Sequence, residues 1–148
     1  MCRRLITIVF FSFYASVAQA TVQVIELTQV PCQFLESEQG VNQGFKSTKS
    51  QDCELINTRT LEQRLAYAST LKLKPGKTIF RVTNKNVSYE LGFWLRGATF
   101  ASRVMLPSVS GGGLTPGKTQ DYVVDLKPGK YIYSCPLNPT PDYQLIVE

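Results

Sequence analysis

The sequence predicts a mainly β protein, a Greek-key sandwich of two sheets with a helical and loop insertion after its first strand. Two observations carry this expectation. One turn phrase recurs, as Leu73-Lys74-Pro75-Gly76-Lys77, as Leu126-Lys127-Pro128-Gly129-Lys130 and, more weakly, as Leu114-Thr115-Pro116-Gly117-Lys118. In each, proline sets φ for a turn and glycine accepts the positive φ that follows. Between these turns apolar and polar residues alternate in short runs, which is the period of a half-buried strand.

The N-terminus reads as an export leader. Arg3 and Arg4 precede a run over residues 5–14 that is nearly all apolar, and Val17-Ala18-Gln19-Ala20 offers a small-residue cleavage site, so removal of residues 1–20 is expected. That run is shorter than the roughly 20 apolar residues a spanning helix needs. Loss of Arg3 and Arg4 lowers the formal charge from +5 to +3 and leaves about 128 residues, one ordinary domain. A periplasmic or secreted location follows, with no membrane span in the mature chain.

Residues 21–27 read as the first strand, which Pro31 ends. From residue 32 to 51 the chain is polar and weakly periodic, a long surface excursion. Helix is expected over residues 52–71, with a short turn over 52–56 ahead of the main helix. Thr60 and Gln63 fit a capping box there, with Leu61, Leu65 and Ala68 at helical spacing. From residue 71 onward the pattern is all β. Its inward sets are Phe80 and Val82; Tyr89, Leu91, Phe93 and Leu95; Tyr122, Val124 and Leu126; Tyr131, Tyr133 and Cys135; and Tyr143, Leu145 and Val147. Residues 96–113 read as a long connection in which Gly111-Gly112-Gly113 form a mobile turn. Asn86-Val87-Ser88 reads as a turn; Trp94, outward on its strand, reads as packing under the helical insertion, with a contact surface as the alternative.

Export implies an oxidising compartment in which disulfides persist. The mature chain holds Cys32, Cys53 and Cys135. Cys32 and Cys53 share one region and are expected to pair, which leaves Cys135 unpaired or joined to a partner. Tyr131 and Tyr133 on the face of Cys135 point to a buried, inert thiol, and Lys130 faces away.

Composition removes several functions. There is no histidine, so serine, cysteine or aspartate catalytic triads lack their general base, and no enzymatic activity is expected. Basic residues are dispersed without a stripe or an aromatic platform, which argues against nucleic acid.

The order of these pieces resembles the cupredoxin superfamily over roughly residues 71–148, with the first strand added. It runs Pro-Gly-Lys, then Phe80-Arg81-Val82-Thr83-Asn84, a loop, a strand, and then Pro-Gly-Lys-Tyr131-Ile132-Tyr133-Ser134-Cys135-Pro136. A blue-copper site uses two imidazoles, one thiolate and a weak axial sulfur. The resemblance places Cys135 at the thiolate position, Tyr89 and Asn138 at the imidazole positions and Tyr143 near the axial one. With only the cysteine kept, the resemblance implies a scaffold without type 1 copper and no expected cofactor. Its implied role is an exported, non-catalytic module binding an envelope protein partner, in a respiratory or metal-handling setting. The alternative is an unconventional site for copper or another soft metal, serving binding or electron transfer. It would use Cys135 with Tyr89 and Tyr143, or Cys32 and Cys53 with Glu36 and Glu38, Met105 being a further soft donor.

Overall fold

A computed structural model describes residues 21–148; the expected leader and its cleavage point lie outside the described residues. Among the described residues nine strands form two sheets. Strands β1 (Gln23–Val30), β2 (Gln33–Phe34), β4 (Gly76–Asn84) and β7 (Thr119–Leu126) make one sheet in the order β2-β1-β4-β7. The other runs β3-β9-β8-β5-β6, from β3 (Leu71–Leu73), β9 (Tyr143–Val147), β8 (Gly129–Ser134), β5 (Leu91–Gly97) and β6 (Val109–Leu114). β1 lies parallel to β4 and β3 parallel to β9, while the remaining pairs are antiparallel. Because β2 is two residues long, most of β1 has a partner on one side only.

Alternation delivers the core where the pattern predicts it. Phe80, Val82, Tyr122, Val124 and Leu126 from one sheet meet Leu91, Phe93, Leu95, Tyr131, Tyr133, Tyr143, Leu145 and Val147 from the other, all buried. Aromatic rings run through it, with Phe93 centred 5.1 Å from Phe80 and 5.2 Å from Tyr122. Burying each large apolar side chain contributes about 2–3 kcal/mol. Tyr89 departs from its expected set: it precedes β5 and is only partly buried.

The insertion differs from its sequence reading. Residues 32–51 are not wholly a surface excursion: Gln33, Phe34, Ser37 and Glu38 are buried, and Phe34 sets its ring edge-on to Phe93, Tyr133 and Tyr143. A single helix, α1 (Ser50–Tyr67), follows. Its start is fixed by Asp52, whose carboxylate accepts from the Thr48 and Lys49 amides at 2.8 and 3.3 Å. Thr60 is not a cap; it lies inside α1 and donates back to the Ile56 carbonyl at 2.9 Å. Leu61 and Leu65 stay exposed, and the buried members of α1 are Cys53 and Arg64. The helix lies over backbone and polar groups around Cys32, Glu38 and Pro139, so its inner stripe is built of hydrogen-bonding side chains.

Residues 96–113 also hold more structure than a connection. The short helix α2 (Phe100–Met105) is capped by Thr99, whose hydroxyl accepts from the Ser102 amide at 3.2 Å. The three glycines belong to β6 rather than to a mobile turn. Gly92 lets β5 and β6 approach at a register shift: a Cβ there would sit 2.5 Å from the Gly111 carbonyl oxygen, while a Cβ on Gly111 would press on the Tyr122 ring at 3.0 Å. Trp94 is not covered by α1. It carries the Arg96 guanidinium 3.9 Å above its ring centre and borders an open hollow with Ser110 and Leu137.

The strands give the sandwich two ends. One gathers the loops after β4 and β8 and the end of β1, and it holds Cys135. The opposite end gathers the turns before β4 and β8 together with α2. Among the described residues no helix is long and apolar enough to cross a membrane.

Candidate functional site

Cys135 stands one residue past β8, 1% exposed. Its Sγ accepts from the backbone amides of Gly92 and Asn138, both at 3.3 Å, and its own amide donates to the Thr140 hydroxyl at 3.1 Å. Burial pushes the thiol pKa above its ordinary value, and the amides of Gly92, Asn138 and Leu137 offset only part of that. The result is a protonated, enclosed thiol, with neither the exposure nor the cationic neighbour that activates a cysteine.

Asn138 closes the space beside it. Its Oδ1 accepts from the Cys32 amide at 2.8 Å and from the Tyr89 hydroxyl at 3.2 Å. Its Nδ2 donates to the Val30 carbonyl at 3.0 Å and to Gln29 Oε1 at 3.4 Å. A side-chain amide has two donors and two acceptor lone pairs, and all are used. Cys53 Sγ lies 3.2 Å from Oδ1, but as a disulfide sulfur it carries no proton and only packs there. Tyr89 also meets the Ser47 hydroxyl at 2.9 Å, and burial raises its phenol pKa. The expected disulfide is present: Cys32 and Cys53 are bonded with their Cα atoms 5.1 Å apart, pinning α1 to the end of β1.

Three of the four sequence-matched positions therefore converge, Cys135, Asn138 and Tyr89. Tyr143 stands apart in a neighbouring cluster. Its hydroxyl donates to Glu38 Oε1 at 2.6 Å, and the same oxygen accepts from Arg64 Nε and Nη2 at 2.9 and 2.6 Å. Arg64 completes its fork on the Cys32 carbonyl and Asn57 Oδ1, at 2.7 and 2.8 Å. Burial, and then the bond to the Glu38 carboxylate, push the Tyr143 phenol far above its ordinary range.

The second candidate donor set is dispersed or spent. Cys32 and Cys53 are oxidised together, Glu36 accepts from the Thr28 amide at 2.7 Å, Glu38 is taken by Arg64, and Met105 is on α2 at the other end. Among the described residues no group of three or more histidine, cysteine, aspartate or glutamate side chains clusters. The donors around Cys135 do not fit a type 1 copper site: one protonated thiol, one saturated amide and one hydrogen-bonded phenol replace two imidazoles and a thiolate.

Gln29 is the member the sequence reading missed. It is buried at the inward position after Ile25 and Leu27 in β1, and its Nε2 donates to the Gly92 carbonyl at 2.7 Å. A polar residue breaking an apolar alternation was the available signal. Arg64 gave less warning, since a lone arginine within a polar helix reads as solvated.

No family model matches the chain, and no curated protein matches it. Among solved structures, the chain is similar to auracyanin B with a TM-score of 0.51 and 13% identity, over 89% of this chain and 93% of that one. It also aligns with a multi-copper oxidase from Pediococcus acidilactici at TM-score 0.40 and 10% identity, over 91% of this chain and 28% of that one. The fold is cupredoxin-like.

Proposed function

We propose that this chain is an exported, non-catalytic cupredoxin-like module that binds a protein partner of the cell envelope and holds no type 1 copper. The observation that carries the reading is the saturated amide of Asn138, which bonds Cys32, Val30, Gln29 and Tyr89 and closes the space beside the Cys135 thiol. Where the resemblance would put a coordination cradle there is a knot of hydrogen bonds, and the fold serves as a rigid carrier of surface. The face offered for recognition is the apolar hollow of about 340 Å³ floored by Gly92, Gly111 and Gly112 and walled by Trp94, Pro136 and Leu137. Aromatic anchors beside a concave apolar floor are what partner recognition uses. A respiratory or metal-handling partner is an analogy of fold.

Two measurements test the reading. A photo-crosslinking residue at Leu137, introduced in cells that export the protein, is expected to give one discrete adduct, lost on Trp94→Ala. Copper retained at one equivalent after loading and desalting would overturn the scaffold reading, and absence of any specific adduct would overturn the partner.

A further inference from the structure

The end of the sandwich opposite Cys135 carries the most exposed large apolar side chains among the described residues. Phe100, Val104 and Met105 are 84%, 79% and 77% exposed. Phe100 and Val104 stand at i and i+4 of α2, on one side of the helix, and Met105 extends the apolar surface a further quarter turn round. At such exposure these side chains project into solvent with little cover from their neighbours. The tip is held firmly: a Cβ on Gly97 would collide with the Ser102 carbonyl, so the helix backbone rests directly on β5, and Leu106 packs against Gly129.

Cations surround this tip. Arg103 lies on α2 itself. The Ala98 amide, just before the helix, donates to the Lys130 carbonyl at 3.0 Å, and Leu106 brings the Lys127-Pro128-Gly129 turn alongside. The pairing of Gly76 with Leu126 adds the turn bearing Lys74 and Lys77. All five are exposed, and none forms an ion pair among the described residues, while Asp125 and Glu148 are the acidic residues at this end. Gln23 Nε2 ties β1 to this end by donating to the Lys74 carbonyl at 2.8 Å.

We propose that this end docks onto an anionic lipid surface. Phe100, Val104 and Met105 enter the headgroup boundary, and Lys74, Lys77, Arg103, Lys127 and Lys130 meet lipid phosphates. An apolar wedge ringed by lysine and arginine is the chemistry of interfacial binding. A specific protein partner needs about 800 Å² from each side, and a six-residue helix does not supply that by itself. A deformable bilayer accepts projecting side chains without a matching pocket. The contact is independent of the Trp94–Leu137 face, which would point away from the membrane towards a partner.

Flotation of purified protein beginning at Thr21 tests the proposal, with vesicles of phosphatidylcholine alone or mixed with phosphatidylglycerol. Binding is expected only to the anionic vesicles, with release at about 0.5 M salt, where the screening length is a few ångströms. Lys127→Glu with Lys130→Glu should weaken it at least about tenfold. Phe100→Ser with Val104→Ser should abolish it, with thermal unfolding unchanged in both variants because the side chains are exposed. Failure to float, or equal flotation of the variants, would overturn it. So would concentration-dependent dimerisation that Phe100→Ser removes, which would make the tip a self-interface, or equal retention by soluble polyglutamate, which would make it a site for acidic protein. The crosslink at Leu137 should survive these substitutions, so the two readings fail separately.

Discussion

Arg64 and Glu38 form a closed ion pair across the seam between helix and sandwich, with Nη2 2.6 Å from Oε1 and both side chains at most 2% exposed. The pair is more than two charges. Tyr143, Asn57, Gln33 and the Cys32 carbonyl supply the remaining hydrogen bonds, which is the condition under which buried ions are tolerated. Arg64→Met leaves the Glu38 carboxylate buried without its cation and should cost about 3–5 kcal/mol in denaturant unfolding. Joint replacement with Glu38→Gln should recover part of that loss, whereas Tyr143→Phe alone should cost about 1–2 kcal/mol.

Removing the disulfide should loosen the same seam. Cys32 and Cys53 are 21 residues apart, and a loop of that size implies about 3 kcal/mol of stabilisation on the chain-entropy account. Cys53→Ser should lower the unfolding midpoint accordingly. Hydrogen exchange should then rise first in α1, whose exposed leucines provide little apolar anchoring.

Alkaline pH should unfold the protein through its buried acids. Burial raises the Cys135 thiol and also raises the Tyr133 phenol to about 12. The folded state keeps protons that the unfolded chain releases, so the stability is complete below pH 9 and falls as pH climbs through the folded values. The thiol contributes first, from about 9, and Tyr133 follows between 10 and 12. The two-unit rise of Tyr133 corresponds to roughly 3 kcal/mol. Tyrosinate absorbance should show a late step coincident with loss of near-ultraviolet dichroism, separate from the exposed phenols.

Gly92→Ala should disturb the thiol without touching it. The new methyl would press on the Gly111 carbonyl, shift the amide that holds Cys135 Sγ and move the carbonyl that Gln29 grips. A loss of about 2–3 kcal/mol is expected. Native Cys135, inert to a thiol-specific reagent at neutral pH, should become reactive in the variant at a rate that follows local opening.

The sandwich was legible because its signals are local. Proline–glycine turns and two-residue alternation name the inward residues of β4, β7, β8 and β9, and each is buried as the pattern requires. The insertion was less legible because polar contacts rather than apolar packing hold it. Leu61 and Leu65 imitate a core stripe, while Arg64 hides among solvated neighbours until Glu38, 26 residues away, is brought against it. The register shift at Gly92 turned an apparent flexible run into β6, since close strand approach demands glycine as surely as mobility does. At the candidate site, Cys135, Asn138 and Tyr89 were found through the resemblance; Gln29 announced itself only as a polar residue in an apolar alternation, and its partner Gly92 on β5 emerges once the two sheets are packed face to face.

The brevity of β2 has a consequence for crowding. With a two-residue neighbour, most of β1 is an open sheet margin, where further copies could add strand upon strand towards fibrils. Glu36 occupies the Thr28 amide, so an incoming strand would meet a carboxylate and an amide already engaged. Colloidal restraint is thus written into a short turn beside the first strand.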